Sequence, residues 1–324
     1  MKKKNCVAML AAGLSLSVPV WANEAALPGE SETSIQIEQE MLVVKAHMGV
    51  GYLNGDSSEL VYGENGRKLS ELNWELDDVP MLNVGGSISP RSWLTISADF
   101  WTRLNRGSGT MDDYDFLAIN YDGYTHWSHH DNTDLTQGFM FDLNAAFTFY
   151  TFEETSFSAL VGYKYDTWEW EARGGNYFYS DYVLFDNVGS FSPDEKVITY
   201  KQWFHVPYIG VGFHSTVGPV FFMGRVIASP LVFAGDEDIH HLRNLRFEED
   251  FDVSSMYGLD LGLGYNITPS LAVSAMFRYQ KYEEAKGDTT VTDLTTGEKR
   301  YFSGDVAGTD HSSSTVSLGL QYRF

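Results

Sequence analysis

The chain has 324 residues, with 22 Lys and Arg against 44 Asp and Glu, so its formal net charge is −22. This acidity argues against nucleic-acid binding, because phosphate contacts require a basic face. The one cysteine, Cys6, excludes an intrachain disulfide and a cysteine metal site. Aromatic residues make up 15% of the chain, an unusual share for an acidic soluble protein.

The first 22 residues have the pattern of a secretory signal peptide. Residues 2–4 are all lysine, residues 7–16 are mostly apolar, and Val20, Trp21 and Ala22 form a small-x-small cleavage site. An uncleaved anchor is the alternative, but the apolar run is shorter than the ~20 residues of a spanning helix. We therefore predict a signal peptide over 1–22, followed by a mobile acidic N-terminal tail over 23–40.

The rest of the chain alternates apolar and polar residues. The alternation is clearest over 139–149, 157–165, 257–265 and 271–279, and a period of two predicts strands with one apolar face. Two architectures fit this pattern: a soluble sandwich with the apolar face in its core, and an outer-membrane barrel with that face in lipid. No later segment is suited to a membrane helix, and only helices and closed barrels cross lipid.

The C-terminus favours the barrel. Leu318, Leu320 and Tyr322 share one face of the last strand with the terminal Phe324, a pattern like the signal that outer-membrane barrels present to their assembly machinery. We predict ten strands, near 41–54, 60–87, 93–105, 136–150, 157–171, 198–215, 219–235, 242–265, 271–285 and 312–324. Tight turns alternate with long polar loops at 106–135, 173–197 and 286–310. The fold class is therefore all-β, a ten-stranded antiparallel transmembrane β-barrel with an extended extracellular rim.

Two short polar clusters carry the candidate chemistry. Asp113 and Asp115 are two residues apart, so on a strand they face the same way, roughly 6–7 Å apart. Asp238 and His240 share a face by the same geometry, and a carboxylate beside an imidazole fixes its tautomer and raises its basicity. Together the pairs could hold and deprotonate one water. From these residues alone, solvated acidic loops or a metal site remain alternatives.

Several stretches resemble the omptins, the outer-membrane endopeptidases of Gram-negative bacteria, over nearly the whole length that follows the signal peptide. The matching stretches are 66–74, 111–115, 172–177, 200–202, 207–210, 236–240 and 243–245. The resemblance implies a ten-stranded barrel with its active site in a groove at the extracellular rim. It also implies an outer-membrane protease acting on cationic peptides or proteins.

The resemblance assigns roles to both polar clusters. Asp113 and Asp115 match the family's aspartate pair, and Asp238 and His240 match its Asp-His dyad. In that family a water held between the pair and the histidine attacks the peptide carbonyl, with His240 as general base and Asp238 orienting it. No covalent acyl-enzyme is implied, and no metal.

The resemblance also implies a substrate pocket. Glu59 and Asp236 match acids that select Arg or Lys before the scissile bond, because a carboxylate pairs well with a cationic side chain. Met111 matches a residue that lines the cleft. Where the family prototype has an acid facing the residue after the cut, this chain has His126, so we expect one basic residue, before the cut, to dominate.

Lipid contacts differ from the family pattern. Omptins that need lipopolysaccharide hold its phosphates with arginines, and Thr167 and Trp203 stand at those positions here. Lipopolysaccharide is thus a possible activator, and we expect a weaker dependence on it. The expected partners are cationic substrates, outer-membrane lipid and, during biogenesis, the barrel-assembly machinery. The alternative function is a catalytically weak barrel acting as adhesin or receptor. A porin-like channel ranks below both, because ten strands leave a narrow lumen.

Overall fold

The computed structural model describes residues 42–63 and 65–324. The predicted signal peptide and N-terminal tail lie outside the described residues. Within these residues, no helix is long and apolar enough to span a membrane. The structure has a short 3-10 helix, His241–Arg243, and fifteen strands. The strands are β1 Val43–Tyr62, β2 Lys68–Arg91, β3 Leu94–Arg103, β4 Met111–Asp115, β5 His126–His130, β6 Asn132–Phe152, β7 Thr155–Arg173, β8 Asn176–Tyr179, β9 Asn187–Ser190, β10 Lys196–Val217, β11 Val220–His240, β12 Leu245–Phe251, β13 Ser254–Asn266, β14 Leu271–Asp293 and β15 Lys299–Arg323.

The strands form one antiparallel sheet that closes on itself. β1 pairs with both β2 and β15, which joins the first and last strands of the chain. β12 and β13 both lie between β11 and β14, as two segments of one ring position. Four further pairs of strands each share one position in the ring: β3 with β4, β5 with β6, β7 with β8, and β9 with β10. The fifteen described strands therefore occupy ten positions. The predicted ten-stranded antiparallel barrel is confirmed.

Residue exposure distinguishes the barrel from a soluble sandwich. On β15, Val316 and Leu318 are 61% and 67% exposed, whereas Thr315 and Ser317 on the other parity are buried. The apolar face therefore points outward, where it can meet lipid, and the polar face lines the interior. Inside, Arg225 lies 2.7 Å from Asp142 and 2.6 Å from Asp260, so this buried cation is paired with two carboxylates.

The strand boundaries depart from the prediction at the rim. β1 continues to Tyr62 and so includes Glu59, which the sequence had placed between two strands. The predicted loop 286–310 is mostly strand, because β14 runs to Asp293 and β15 starts at Lys299. The other two long loops contain β4, β5, β8 and β9, and the predicted strand 242–265 is divided into β12 and β13. The rim ends of β14 and β15, residues 286–293 and 299–305, consist mostly of polar residues, so they show no regular apolar alternation.

Strand length positions the functional site. β1, β2, β14 and β15 have 20 to 25 residues, well above the roughly 9–11 that a bilayer requires. At one end of the ring, Lys45 pairs with Arg323 near the short turns, and at the other end Glu59 pairs with Thr309. The long strands thus place Glu59 at the end of the ring opposite the short turns, beyond the exposed apolar band.

Candidate active site

The aspartate pair lies on β4, between β2 and β5. Asp115 pairs across the sheet with Ser70, and Asp113 pairs with Ser128. Alternation turns Asp112 to the other side, where it accepts a hydrogen bond of 2.8 Å from the indole nitrogen of Trp127. The prediction that Asp113 and Asp115 share a face therefore agrees with the structure.

The environment of this pair favours a shared proton. The hydroxyl of Ser70 donates a 3.3 Å hydrogen bond to Oδ1 of Asp113. Burial, and then the charge of Asp115, raise the pKa of Asp113 to about 7, while His240 and Arg243 act in the opposite direction. Burial also raises the pKa of Asp115. Two adjacent carboxyl groups of this kind resist ionising together, which favours retention of one proton by the pair.

The dyad lies at the end of β11. Nε2 of His240 is 2.5 Å from Oδ2 of Asp238, a side chain that is 1% exposed. On the other side of the ring, the guanidinium of Arg243 donates to Nδ1 of His240. His240 and Arg243 both act electrostatically on Asp113, so the fold brings together two clusters that are remote in sequence.

A pocket of buried carboxylates adjoins the dyad. Glu59 and Asp236 are 3% and 1% exposed. Glu249 on β12 lies directly opposite Asp236 on β11 and is also buried. Burial raises the pKa of Glu249 to about 7. Burial, reinforced by neighbouring carboxylates, also raises the pKa of Glu59 and of Asp236 well above the usual range.

Many pocket oxygens have no hydrogen-bond donor. Among the described residues, nothing donates to Oε2 of Glu59, Oδ1 of Asp236, Oε2 of Glu249 or Oδ1 of Asp238. Buried carboxylates without donors are costly, so this arrangement is suited to receiving a cation that brings several donors. Glu59, Asp238 and His240 also offer one ligand atom each within 4.8 Å of one another, a spacing that a metal ion could bridge.

Aromatic packing supports the pocket from the interior. Trp74 and Trp170 stack against Tyr200, with ring centroids 5.3 and 5.9 Å away. The hydroxyl of Tyr200 donates to Oδ2 of Asp236 at 3.0 Å. Met111, predicted to line the cleft, is fully buried in this same apolar cluster. Its position on β4 ties the aspartate pair to the cluster.

Sequence reasoning missed four residues of the site. Ser70, Tyr200 and Arg243 fall inside stretches that it had matched to the family, but no role was assigned to them. Glu249 lies in the run Glu248-Glu249-Asp250, which has the composition of an ordinary solvated turn. The signal that identifies Glu249 is its register opposite Asp236, and that register is a property of the folded sheet.

The residues at the family's lipid-binding positions offer no cation. Thr167 is fully buried, and its hydroxyl donates to the backbone carbonyl of Gln202 at 2.9 Å. Trp203 pairs opposite Thr167, and its indole packs against Gly235. His126, which the resemblance aligns with an acid that faces the residue after the cut, pairs opposite Asp115.

Comparisons with known proteins agree with this geometry. The model of the Omptin family matches residues 40–324. The plasminogen activator of Yersinia pestis is 36% identical over 325 residues, covering 100% of both chains. Outer membrane protease OmpP of Escherichia coli strain K12 is 30% identical over 285 residues, covering 87% of this chain and 90% of that one.

A solved structure agrees as well. The crystal structure of outer membrane protease OmpT from Escherichia coli matches with a TM-score of 0.83 and 27% identity, over 87% of this chain and 97% of that chain. These matches span the ring of strands and the acidic rim alike. The chain therefore belongs to the omptin family and is an outer-membrane β-barrel of the protease type.

Proposed function

We propose that this protein is an endopeptidase that hydrolyses peptide bonds after Arg or Lys, using a water activated between the aspartate pair and the Asp-His dyad. The observation that carries the proposal is the continuity of the site. Glu59 of the pocket reaches within 4.8 Å of the ligand atoms of Asp238 and His240, so a side chain held by the pocket has its backbone beside the base.

In the proposed reaction, each residue of the aspartate pair and of the Asp-His dyad has one role. Asp113 holds the water by accepting one of its hydrogens, and His240 removes a proton as the water attacks the peptide carbonyl. Asp238 orients the ring and stabilises the imidazolium that forms. The proton shared by the aspartates supports the developing oxyanion beside Asp115. The imidazolium then protonates the leaving amine, with no covalent intermediate.

The pocket supports selection of a cationic side chain. A guanidinium presents five N–H donors, and the carboxylates of Glu59, Asp236 and Glu249 each have an oxygen without a donor. A neutral side chain would leave these oxygens buried and unpaired, which disfavours its binding. The net charge of −22 also attracts cationic substrates toward the rim.

Several partners follow from this proposal. Cationic peptides or proteins are the substrates. One relative is named plasminogen activator, so we include folded proteins among the candidate substrates. Lipopolysaccharide is a possible activator, and we expect this protein to bind it more weakly, since Thr167 and Trp203 provide no positive charge. No metal or other cofactor has a step in the mechanism.

The test compares two matched peptides. Refolded protein, with and without lipopolysaccharide, is incubated with a quenched peptide containing one Arg and with the same peptide containing citrulline, which keeps the shape and removes the charge. We expect cleavage after Arg and at least about a hundredfold slower cleavage of the citrulline peptide. Equal rates for the two peptides would refute the pocket. A folded barrel that cleaves neither peptide would favour the adhesin or receptor alternative.

A further inference from the structure

A charged side chain lies beside each ring nitrogen of His240. Nε2 lies 2.5 Å from Asp238, and the guanidinium of Arg243 donates to Nδ1. Arginine has five N–H donors and no acceptor, so Nδ1 must be the nitrogen without a proton. In this tautomer Nδ1 is the atom that can take a proton from water, and Arg243 covers that atom.

Arg243 lies close enough to the aspartate pair to act on it electrostatically. The positive charge of Arg243 lowers the pKa of both Asp113 and Asp115 against the effect of burial. Arg243 therefore contacts the base and lies near the carboxylates, the two groups between which the proposed mechanism places a water. A guanidinium and a water cannot both use Nδ1 as a hydrogen-bond acceptor in the ring plane.

The contact between Arg243 and His240 can be broken with the loss of few interactions. Arg243 is exposed and ends the 3-10 helix His241–Arg243, and the next residue, Asn244, has a left-handed φ of 52°. Among the described residues, the bond to His240 is the one side-chain hydrogen bond of Arg243, and no carboxylate lies within ion-pair distance of it. Its second contact is the ring of Phe247, 5.9 Å from the guanidinium carbon. Rotation of the Arg243 side chain into water therefore breaks one hydrogen bond and the contact with Phe247, and it separates no ion pair.

We propose that Arg243 is a reversible cap on His240: it occupies Nδ1 in the resting enzyme and must leave before water can be activated. This rests on the proposed function, because it assumes that His240 is the base. A cap lowers the apparent activity by the fraction of molecules in which it is closed, so removing the cap raises activity.

The test is Arg243→Met with Arg246→Met as the matched control. Both remove one positive charge from the same rim, but Arg246 contacts Glu248 at 2.8 Å and does not contact His240. We expect Arg243→Met to raise kcat for a small Arg peptide by about tenfold, Arg243→Lys to stay near the parent, and Arg246→Met to leave kcat unchanged. A fall in kcat for Arg243→Met would overturn the cap and make Arg243 a positioning residue instead.

A second measurement separates this proposal from the function. In ¹⁵N-histidine-labelled protein, with the signal assigned by loss in His240→Gln, we expect the Nδ1 shift to move toward that of a solvent-bonded nitrogen in Arg243→Met. An unchanged Nδ1 shift would overturn the contact whether or not the protein cleaves peptides. If the parent protein is inactive but the Nδ1 shift of His240 still moves in Arg243→Met, the proposed function is refuted and the contact between Arg243 and His240 is supported. If Arg243→Met fails to fold, judged by heat-modifiable gel mobility, Arg243→Gln provides the same comparison with a weaker neutral donor.

Discussion

The hydroxyl of Tyr200 donates to Oδ2 of Asp236 across 3.0 Å, which links the aromatic interior of the barrel to the acidic pocket. Tyr200 also lies 2.8 Å from the hydroxyl of Thr309, so its orientation is held from a second strand. The hydrogen bond from Tyr200 satisfies Oδ2 of Asp236 and leaves Oδ1 without a donor. The pocket is therefore rigid on its inner side and open to a cationic donor on the other.

The first prediction concerns specificity. Asp236→Asn should lower kcat/KM for an Arg peptide by at least about a hundredfold, because a guanidinium in a buried site loses a charged partner. Profiling a peptide library by mass spectrometry should show the preference for Arg weakened. Glu237→Gln is the matched control, since Glu237 lies on the other face of β11, near Arg246. An unaltered cleavage profile in Asp236→Asn would exclude Asp236 from the pocket.

The second prediction concerns the base. His240→Ala and Asp113→Ala should each reduce peptide cleavage by about 10²–10⁴-fold, the usual cost of losing a positioned catalytic group. His241→Ala should keep most activity, because His241 bonds to the hydroxyl of Thr199 at 2.8 Å instead of joining the dyad. Heat-modifiable gel mobility confirms that each barrel is folded. Near-parental rates in either active-site variant would remove that residue from the mechanism.

The third prediction concerns the pH profile. The pKa of Asp113 is raised to about 7 by burial and then by the charge of Asp115. Asp115→Asn removes the like charge and so lowers the pKa of Asp113. If ionised Asp113 holds the water, the acid limb of kcat/KM should move to lower pH by about one unit, although the maximum rate falls. A pH–rate profile with the limb in its parental position would show that Asp113 does not control it.

The fourth prediction concerns stability. Burial raises the pKa of Glu249 from its ordinary value of 4.5 to about 7 in the folded protein, so the folded state binds the proton more tightly. The contribution of Glu249 to stability is therefore greatest below about pH 4.5 and is lost as the pH rises through about 7, by up to about 3 kcal/mol. Glu249→Gln should raise the denaturant midpoint at pH 8 and change it little at pH 4. An equal shift at both pH values would contradict this.

The fifth prediction concerns lipid. Thr167 and Trp203 supply no positive charge, and a neutral hydrogen bond contributes about 0.5–1.5 kcal/mol against about 1.5–3 for a charged one. Detergent-refolded protein should therefore be active before lipopolysaccharide is added and respond weakly to its titration. The double variant Thr167→Arg with Trp203→Arg should gain a response. Strict activation of the parent from a zero baseline would show that other residues bind the lipid.

The sequence by itself determined the strand class and the two polar pairs. Alternation of period two and the final Phe324 predicted an antiparallel barrel, because strand geometry places every second side chain on one face. The same geometry put Asp113 with Asp115, and Asp238 with His240. These are local relationships of two residues along one strand, so no knowledge of the remaining fold was needed.

The tertiary structure decided which strands meet and in what register. It brought Glu249 opposite Asp236, Glu59 of β1 beside Asp238 of β11, and Arg243 onto His240. The rim ends of β14 and β15, which consist mostly of polar residues, also became visible only once they were paired. Cross-strand register depends on hydrogen bonds between segments far apart in the chain, and a shift of one residue would reverse every side chain. Local pattern contains no information about that choice.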